Sequence, residues 1–263
     1  MARPHIEFIE AFAVEPEQLA AGPLAGAARR LLSVDASDGD YTALLTCPAG
    51  WTGDVAAPRR PAELFCIAGE LELDGKRLGP GCYAYVPAGS SRGRLTARGQ
   101  AQVLLMVEQE HAPEPDDPIE VIDQAERRWV HPGSAAGTSS EDRAEGIVLK
   151  LFREDPETKD WTWISTTCAG WLTPKAEIHP TVEECFMLRG DILLGERGAM
   201  TAGSYFWRPG MVEHGPMFSR DGGLFFFRTK GGSLSTRWVD VPGWEKLVDD
   251  YVAQRPFFAG PTG

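Results

Sequence analysis

The chain repeats itself, and few sequence features restrict a fold more tightly than that. "DYTALLTCPAGW" (Asp40–Trp51) returns as "DWTWISTTCAGW" (Asp160–Trp171), matching Asp, an aromatic, two Thr, Gly and Trp at an offset of 120. Gly69 in "IAGELEL" then matches Gly190 in "LRGDILL" at an offset of 121, and "GCYAYVPAG" from Gly81 matches "GSYFWRPGM" from Gly203 at 122. A drift of two positions corresponds to one or two single-residue insertions, which surface loops tolerate. The halves are therefore versions of one folding unit.

Both halves read as β. Short runs rich in β-branched and aromatic residues, such as "YTALLT", "LFCIAG", "VLLMVE", "WTWISTT", "CFMLRG" and "LFFFRTK", are bounded by Gly, Pro or Asp-Gly turns. Their spacing of about ten residues is that of β-sandwiches and barrels. Helix is predicted only for Glu15–Ala28, whose "EPEQLAAG" start suits a first turn, and for "GWEKLVDDYVAQ" near the end. The segments "EQEHAPEPDDP" and "HPGSAAGTSSEDRAEG" are rich in Pro, Gly, Ser and charge, as connecting segments are. They place a boundary near 125–140 and predict two domains, 1–125 and 126–263. With 43% hydrophobic residues in 263, the chain can fill such cores.

Several function classes fall away at once. No apolar run approaches the ~20 residues of a membrane span, and "MARPHIEFIEAF" lacks the basic start and apolar core of a secretory signal. A cytoplasmic location is expected. With 38 acidic against 26 basic residues the formal charge is −12, which repels nucleic-acid phosphates and anionic lipid, so neither is an expected partner. The five cysteines, at 47, 66, 82, 168 and 185, are odd in number and show no C-x-x-C spacing. They read as buried, reduced thiols. No phosphate-binding glycine loop or G-x-S-x-G nucleophile turn is present.

The chemistry concentrates in "EIHPTVEECFMLRG", from Glu177 to Gly190. Glu177 and His179 are two apart, so on a strand their side chains share a face. Pro180 has no N–H to donate and ends the ladder, and Glu183 begins the return strand. His214 follows 35 residues after His179, behind a Pro-Gly turn, where it can close the site from another hairpin. Two imidazoles with one or two carboxylates suit a single Fe(II) or Mn(II) ion per chain, while zinc, nickel and cobalt also fit. A lone strand histidine is more often a hydrogen-bonded structural residue, and glutamate in an acidic chain is more often solvated surface. Four such residues in register with two glycine–proline frameworks favour the metal. Glu177 is either a ligand or an acid behind the ligands. Glu184, the register alternative to Glu183, points to the other face of a regular strand.

In the first half, counting back from Gly69 puts Ala56, Pro58 and Ala62 at the positions of Glu177, His179 and Glu183; counting forward from Trp51 puts Ala57, Arg59 and Glu63 there. Neither register contains a histidine, and Arg92, which cannot ligate a metal, replaces His214. The first half is expected to keep the shape and lack the ion. Around the second site, Trp163, Tyr205, Met217 and Phe227 are candidate substrate contacts, although each is individually more typical of core. Arg208 and Arg228 are candidates for pinning a carboxylate through paired N–H bonds.

These motifs resemble those of the cupin superfamily, in its two-barrel (bicupin) form. The family's motifs read G-x5-H-x-H-x3or4-E-x6-G and G-x5-P-x-G-x2-H-x3-N. His179-x3-Glu183-x6-Gly190 fits the first, and Gly203-x5-Pro209 with His214 fits the second. The departures are Glu177 in place of the first His, the leading Gly one residue early at Gly170, Met211 for a Gly and Phe218 for the terminal Asn. The resemblance implies an all-β chain of two tandem jelly-roll barrels with few short helices, pairing as a homodimer through sheet edges. It implies metal-dependent chemistry on a small oxygen-bearing molecule, with dioxygenase-type oxidation first. Hydrolysis or isomerisation, as in ureidoglycine aminohydrolases with their similar Glu-x-His element, and non-catalytic ligand sensing are alternatives.

Overall fold

The computed structural model describes residues 3–57, 59–108, 118–132 and 146–254. The fold is all-β, of the cupin jelly-roll type. It divides into two compact units, Met1–Pro4 with Ile9–Arg127, and His5–Phe8 with Arg128–Gly263. Most of the predicted connecting residues, 109–117 and 133–145, lie outside the described residues.

In the first unit a seven-stranded sheet runs in the order Glu120–Asp123, Cys82–Val86, Ala62–Ala68, Ala101–Val107, Tyr41–Cys47, Ala28–Val34 and Glu17–Gln18. A four-stranded sheet follows the order Thr52–Asp54, Arg94–Ala97, Leu71–Leu73 and Lys76–Leu78. Alternate residues of the paired strands, Leu45 and Cys47, Leu64 and Cys66, Val103 and Leu105, enter one buried core with Trp51. That period of two is what the strand runs encode. Each of the leucines and the valine contributes about 1.5–3 kcal/mol on full burial.

The second unit repeats this order. Ser204–Arg208, Val182–Leu194, Gly223–Lys230, Trp161–Thr167 and Ile147–Glu154 stand where the first unit has Cys82–Val86, Ala62–Ala68, Ala101–Val107, Tyr41–Cys47 and Ala28–Val34. Beside Ser204–Arg208 lies the N-terminal strand Ile6–Glu10. Trp171–Thr173, Met217–Ser219, the end of Val182–Leu194 and Ala199–Thr201 form the smaller sheet. Val182–Leu194 is thus one thirteen-residue strand serving both sheets. It passes between them at Gly190, where φ is 85° and an added Cβ would stand 1.8 Å from the Gly222 carbonyl oxygen. The repeat-matched Gly69 has φ 77° and the same conflict, 2.2 Å from the Gln100 oxygen. Glycine is matched in both halves because no side chain fits.

The helix expected near the end forms over Trp244–Gln254. Its Val248, Tyr251 and Val252, on one helical face, pack on Leu193 and Phe218, and the Tyr251 hydroxyl donates to Asp191. The helix expected over Glu15–Ala28 does not form. Glu17–Gln18 is a short strand, and Leu19 N–H to Ala27 O (3.0 Å) with Gly26 N–H to Leu19 O (2.7 Å) closes a loop instead. Left-handed Gly22 and Gly26 around Pro23 deny a continuous helix. Four cysteines are buried as expected, but Cys168 is exposed because it sits in the turn after Trp161–Thr167. No helix among the described residues is long and apolar enough to cross a membrane.

Candidate metal centre

Glu177 lies on Lys175–Ile178, a strand that pairs with Arg237–Asp240. Its backbone also exchanges two hydrogen bonds with His214, Glu177 N–H to His214 O at 2.8 Å and His214 N–H to Glu177 O at 3.1 Å. The two hairpins that the sequence keeps 35 residues apart are thereby stitched together at the site. Met211, with φ 70°, turns the chain before His214, and its N–H donates to the His179 carbonyl at 2.7 Å.

Each histidine gives one ring nitrogen to the backbone. His179 Nδ1 lies 2.9 Å from the Ser235 carbonyl oxygen, and His214 Nδ1 lies 3.1 Å from that of Val212. A carbonyl only accepts, so both Nδ1 atoms carry the proton and both Nε2 atoms present a lone pair. His214 Nε2 is 3.1 Å from Glu177 Oε1, and His179 Nε2 is 3.6 Å from the same oxygen. The rings are 5.3 Å apart between centroids, and both are 3% exposed. His179 Nε2 is buried with no hydrogen-bond partner.

Three lone-pair atoms facing one another repel unless a proton or a cation sits among them. Without a metal, the proton serves. Burial works against charge on either group, but the attraction of Glu177 outweighs it and pushes His179 up to about 9, while the same pairing holds Glu177 below the usual carboxylate range. A divalent ion serves as well. Among the described residues Glu177, His179 and His214 form a group whose donor atoms all lie within 4.8 Å of one another. Bonds of about 2.0–2.2 Å to N and O set neighbouring ligand atoms roughly 3–3.5 Å apart, close to the separations between Glu177 and each histidine. Carbonyls behind both imidazoles fix tautomer and ring orientation, as at protein metal sites generally. The residues present fit the ion.

Glu183 stands beside this trio. Its Oε2 is 3.6 Å from His214 Nε2 and accepts from Arg208 Nη1 at 3.1 Å. Glu177, Glu183, His214 and Arg208 line a cavity of about 30 Å³ whose remaining wall is apolar, including Cys185, Phe206, Met217 and Phe227. Three of the predicted substrate contacts, Arg208, Met217 and Phe227, are therefore at the cavity. Trp163 is one layer behind, stacked on Phe227 at 5.2 Å. Tyr205 and Arg228 are not at the cavity at all. On their strands they share the opposite face with Glu184, where the Tyr205 hydroxyl donates to Oε1 (2.5 Å) and Arg228 Nη1 to Oε2 (2.8 Å). Strand alternation puts them there. It also makes Glu184 buried, not surface.

The structure decides the register of the first unit. Ala62 faces Val86 and Glu63 faces Tyr85, as Glu183 faces Arg208 and Glu184 faces Trp207. The Tyr83–Glu63 hydrogen bond (2.8 Å) repeats Tyr205–Glu184. Glu63 is thus the counterpart of Glu184 and Ala62 that of Glu183, the register counted back from Gly69; Pro58 lies outside the described residues. Sequence reasoning missed Glu7, which accepts from Arg208 Nη2 at 2.9 Å, and the carbonyls of Val212 and Ser235. Backbone carbonyl acceptors leave no mark in residue identity, and Glu7 lies in no motif.

A family model described as "Domain of unknown function (DUF4437)" matches residues 14–236. No curated protein gives a significant sequence match. Among solved structures, a "putative dioxygenase" from Nostoc punctiforme is 20% identical, with a TM-score of 0.71 over 87% of this chain and 82% of that one. Protein Ylba of the DUF861 family from E. coli is 12% identical (TM-score 0.59, 85% and 89% covered). A variant of oxalate decarboxylase from Bacillus subtilis is also 12% identical (TM-score 0.57, 96% and 84% covered). At such identities the likeness concerns the cupin fold.

Proposed function

The chain belongs to the DUF4437 family, and we propose that it is a metal-dependent cupin enzyme acting on a small oxygen-bearing organic molecule, in a dioxygenase-type oxidation. One observation carries the reading: two buried Nε2 lone pairs and a carboxylate oxygen converge, with both Nδ1 protons already committed to backbone carbonyls. His179, His214 and Glu177 would hold the ion, with Glu183 adjacent. A bound Fe(II) or Mn(II) would supply Lewis acidity and, for iron, one-electron chemistry with dioxygen. Zinc, nickel and cobalt suit the same donors. The remaining residues do ordinary protein work. Phe227, Met217 and Phe206 exclude water, and Arg208 presents positive charge at the cavity. The fold is shared with the Nostoc punctiforme structure described as a dioxygenase and with the Bacillus subtilis oxalate decarboxylase, which makes oxidation or decarboxylation the starting point.

Glu183 favours a second reading. A carboxylate 3.6 Å from His214 Nε2 can accept or return a substrate proton, which hydrolysis or isomerisation needs. Oxygen uptake separates the two. Iron-loaded protein is expected to consume oxygen with one of a panel of short diketones and hydroxy acids, and His179→Ala or His214→Ala to abolish it. Turnover of a panel compound without oxygen consumption would favour the second reading. Turnover that survives complete removal of metal would refute both.

A further inference from the structure

Arg208 and Glu183 make a buried ion pair that the first unit builds its barrel without. The matching positions there hold Val86 facing Ala62. Burying two charges costs desolvation that their attraction rarely repays, so a barrel of this design has no structural need of the pair. It occurs in the unit that carries Glu177, His179 and His214, and it lines the same cavity.

The guanidinium is immobilised before any ligand arrives. Nη1 donates to Glu183 (3.1 Å), Nη2 donates to Glu7 (2.9 Å), and Cζ lies 4.1 Å above the Phe206 ring. The side chain is 2% exposed, and its Nε has no partner. Charge bookkeeping sharpens the point. Glu177 and Glu183 together offset a divalent ion, which leaves Arg208 as a net single positive charge at the cavity, while Glu7 and Arg197 offset each other at 2.6 Å. In an apolar enclosure such a charge is compensated best by one negative charge on the ligand.

Resting on the metal reading above, we propose that the cavity selects a small monoanion, a carboxylate or enolate of a few heavy atoms, and that Arg208 is its anchor, with Glu183 and Glu7 holding the guanidinium plane. The cavity offers about 30 Å³ to the centres of water-sized groups, which limits the ligand to a few heavy atoms.

The test compares glycolate with its neutral isostere glycolamide by calorimetric titration into Mn(II)-loaded protein whose metal content has been measured first. Glycolate is expected to bind at least about tenfold more tightly. Arg208→Gln removes the charge while its amide can still donate to Glu183; it is expected to keep its metal and lose the preference. Arg208→Lys, which retains the charge without the forked donors, is expected to weaken glycolate about tenfold at unchanged metal content. Equal binding of the two probes to loaded parent, or unchanged glycolate affinity in either variant, overturns the anchor and leaves the metal reading intact. Parent protein that takes up no divalent ion defeats the metal reading and this inference with it.

Discussion

A histidine becomes available as a ligand when a neighbour settles which nitrogen stays bare. Ser235 O and Val212 O do this for His179 and His214. The consequence is measurable through pH. In metal-free protein His179 keeps its proton up to about 9, above the ordinary imidazole value of 6.5. A cation must expel that proton, so apparent Mn(II) affinity should rise by up to about tenfold per pH unit between pH 7 and 9 and level off above. Electron paramagnetic resonance of free Mn(II) at several pH values checks it; a flat profile contradicts the assignment. The same raised value makes the metal-free ion pair fully stabilising below the unfolded value and progressively lost as pH rises through about 9. Glu184 gives a second residue-level outcome. Glu184→Ala removes the buried carboxylate to which Arg228 and Tyr205 donate and is expected to cost about 3–5 kcal/mol in urea unfolding, without changing metal content. Residue type and spacing were enough to put Glu177, His179 and His214 forward together, and the structure brings those three side chains together. Tyr205 and Arg228 were misread because composition alone does not reveal which face of a strand is the lumen.

At the level of elements, the strands were legible and one helix was not. Periodic apolar residues such as Leu64 and Cys66, or Val103 and Leu105, commit a segment to a sheet face whatever its neighbours do. Over Glu15–Ala28 the only helical argument was a suitable first turn, and Gly22, Pro23 and Gly26 prevailed. Gly190 shows how strictly one residue can govern a strand. Gly190→Ala must relieve a 1.8 Å clash with backbone at positive φ, and is expected to destabilise the second unit by at least about 2 kcal/mol. Thermal unfolding of that variant checks it; an unchanged midpoint would mean that the strand can pass between the sheets another way.

Across the whole molecule, two versions of one unit have diverged inside a common strand order. The first fills its lumen with Leu64, Leu105 and thiols, and the second places charge and imidazole in the corresponding space. Burial pushes Cys47 and Cys66 up to about 12. An aromatic disulfide reagent at pH 8 should therefore modify one thiol, Cys168, in native protein and all five after denaturation. More than one reactive native thiol would contradict the packing of the lumen. The repeat made this division visible from sequence, since Ala56, Pro58 and Arg92 supply no ligand atom of the required kind. What sequence left open, which of two registers applies, is fixed by Ala62 facing Val86. The most direct measurement is elemental analysis of freshly purified parent beside the His179→Ala/His214→Ala double variant. One divalent ion per parent chain and none in the folded variant is the predicted result; equal metal content in the two proteins would contradict the account.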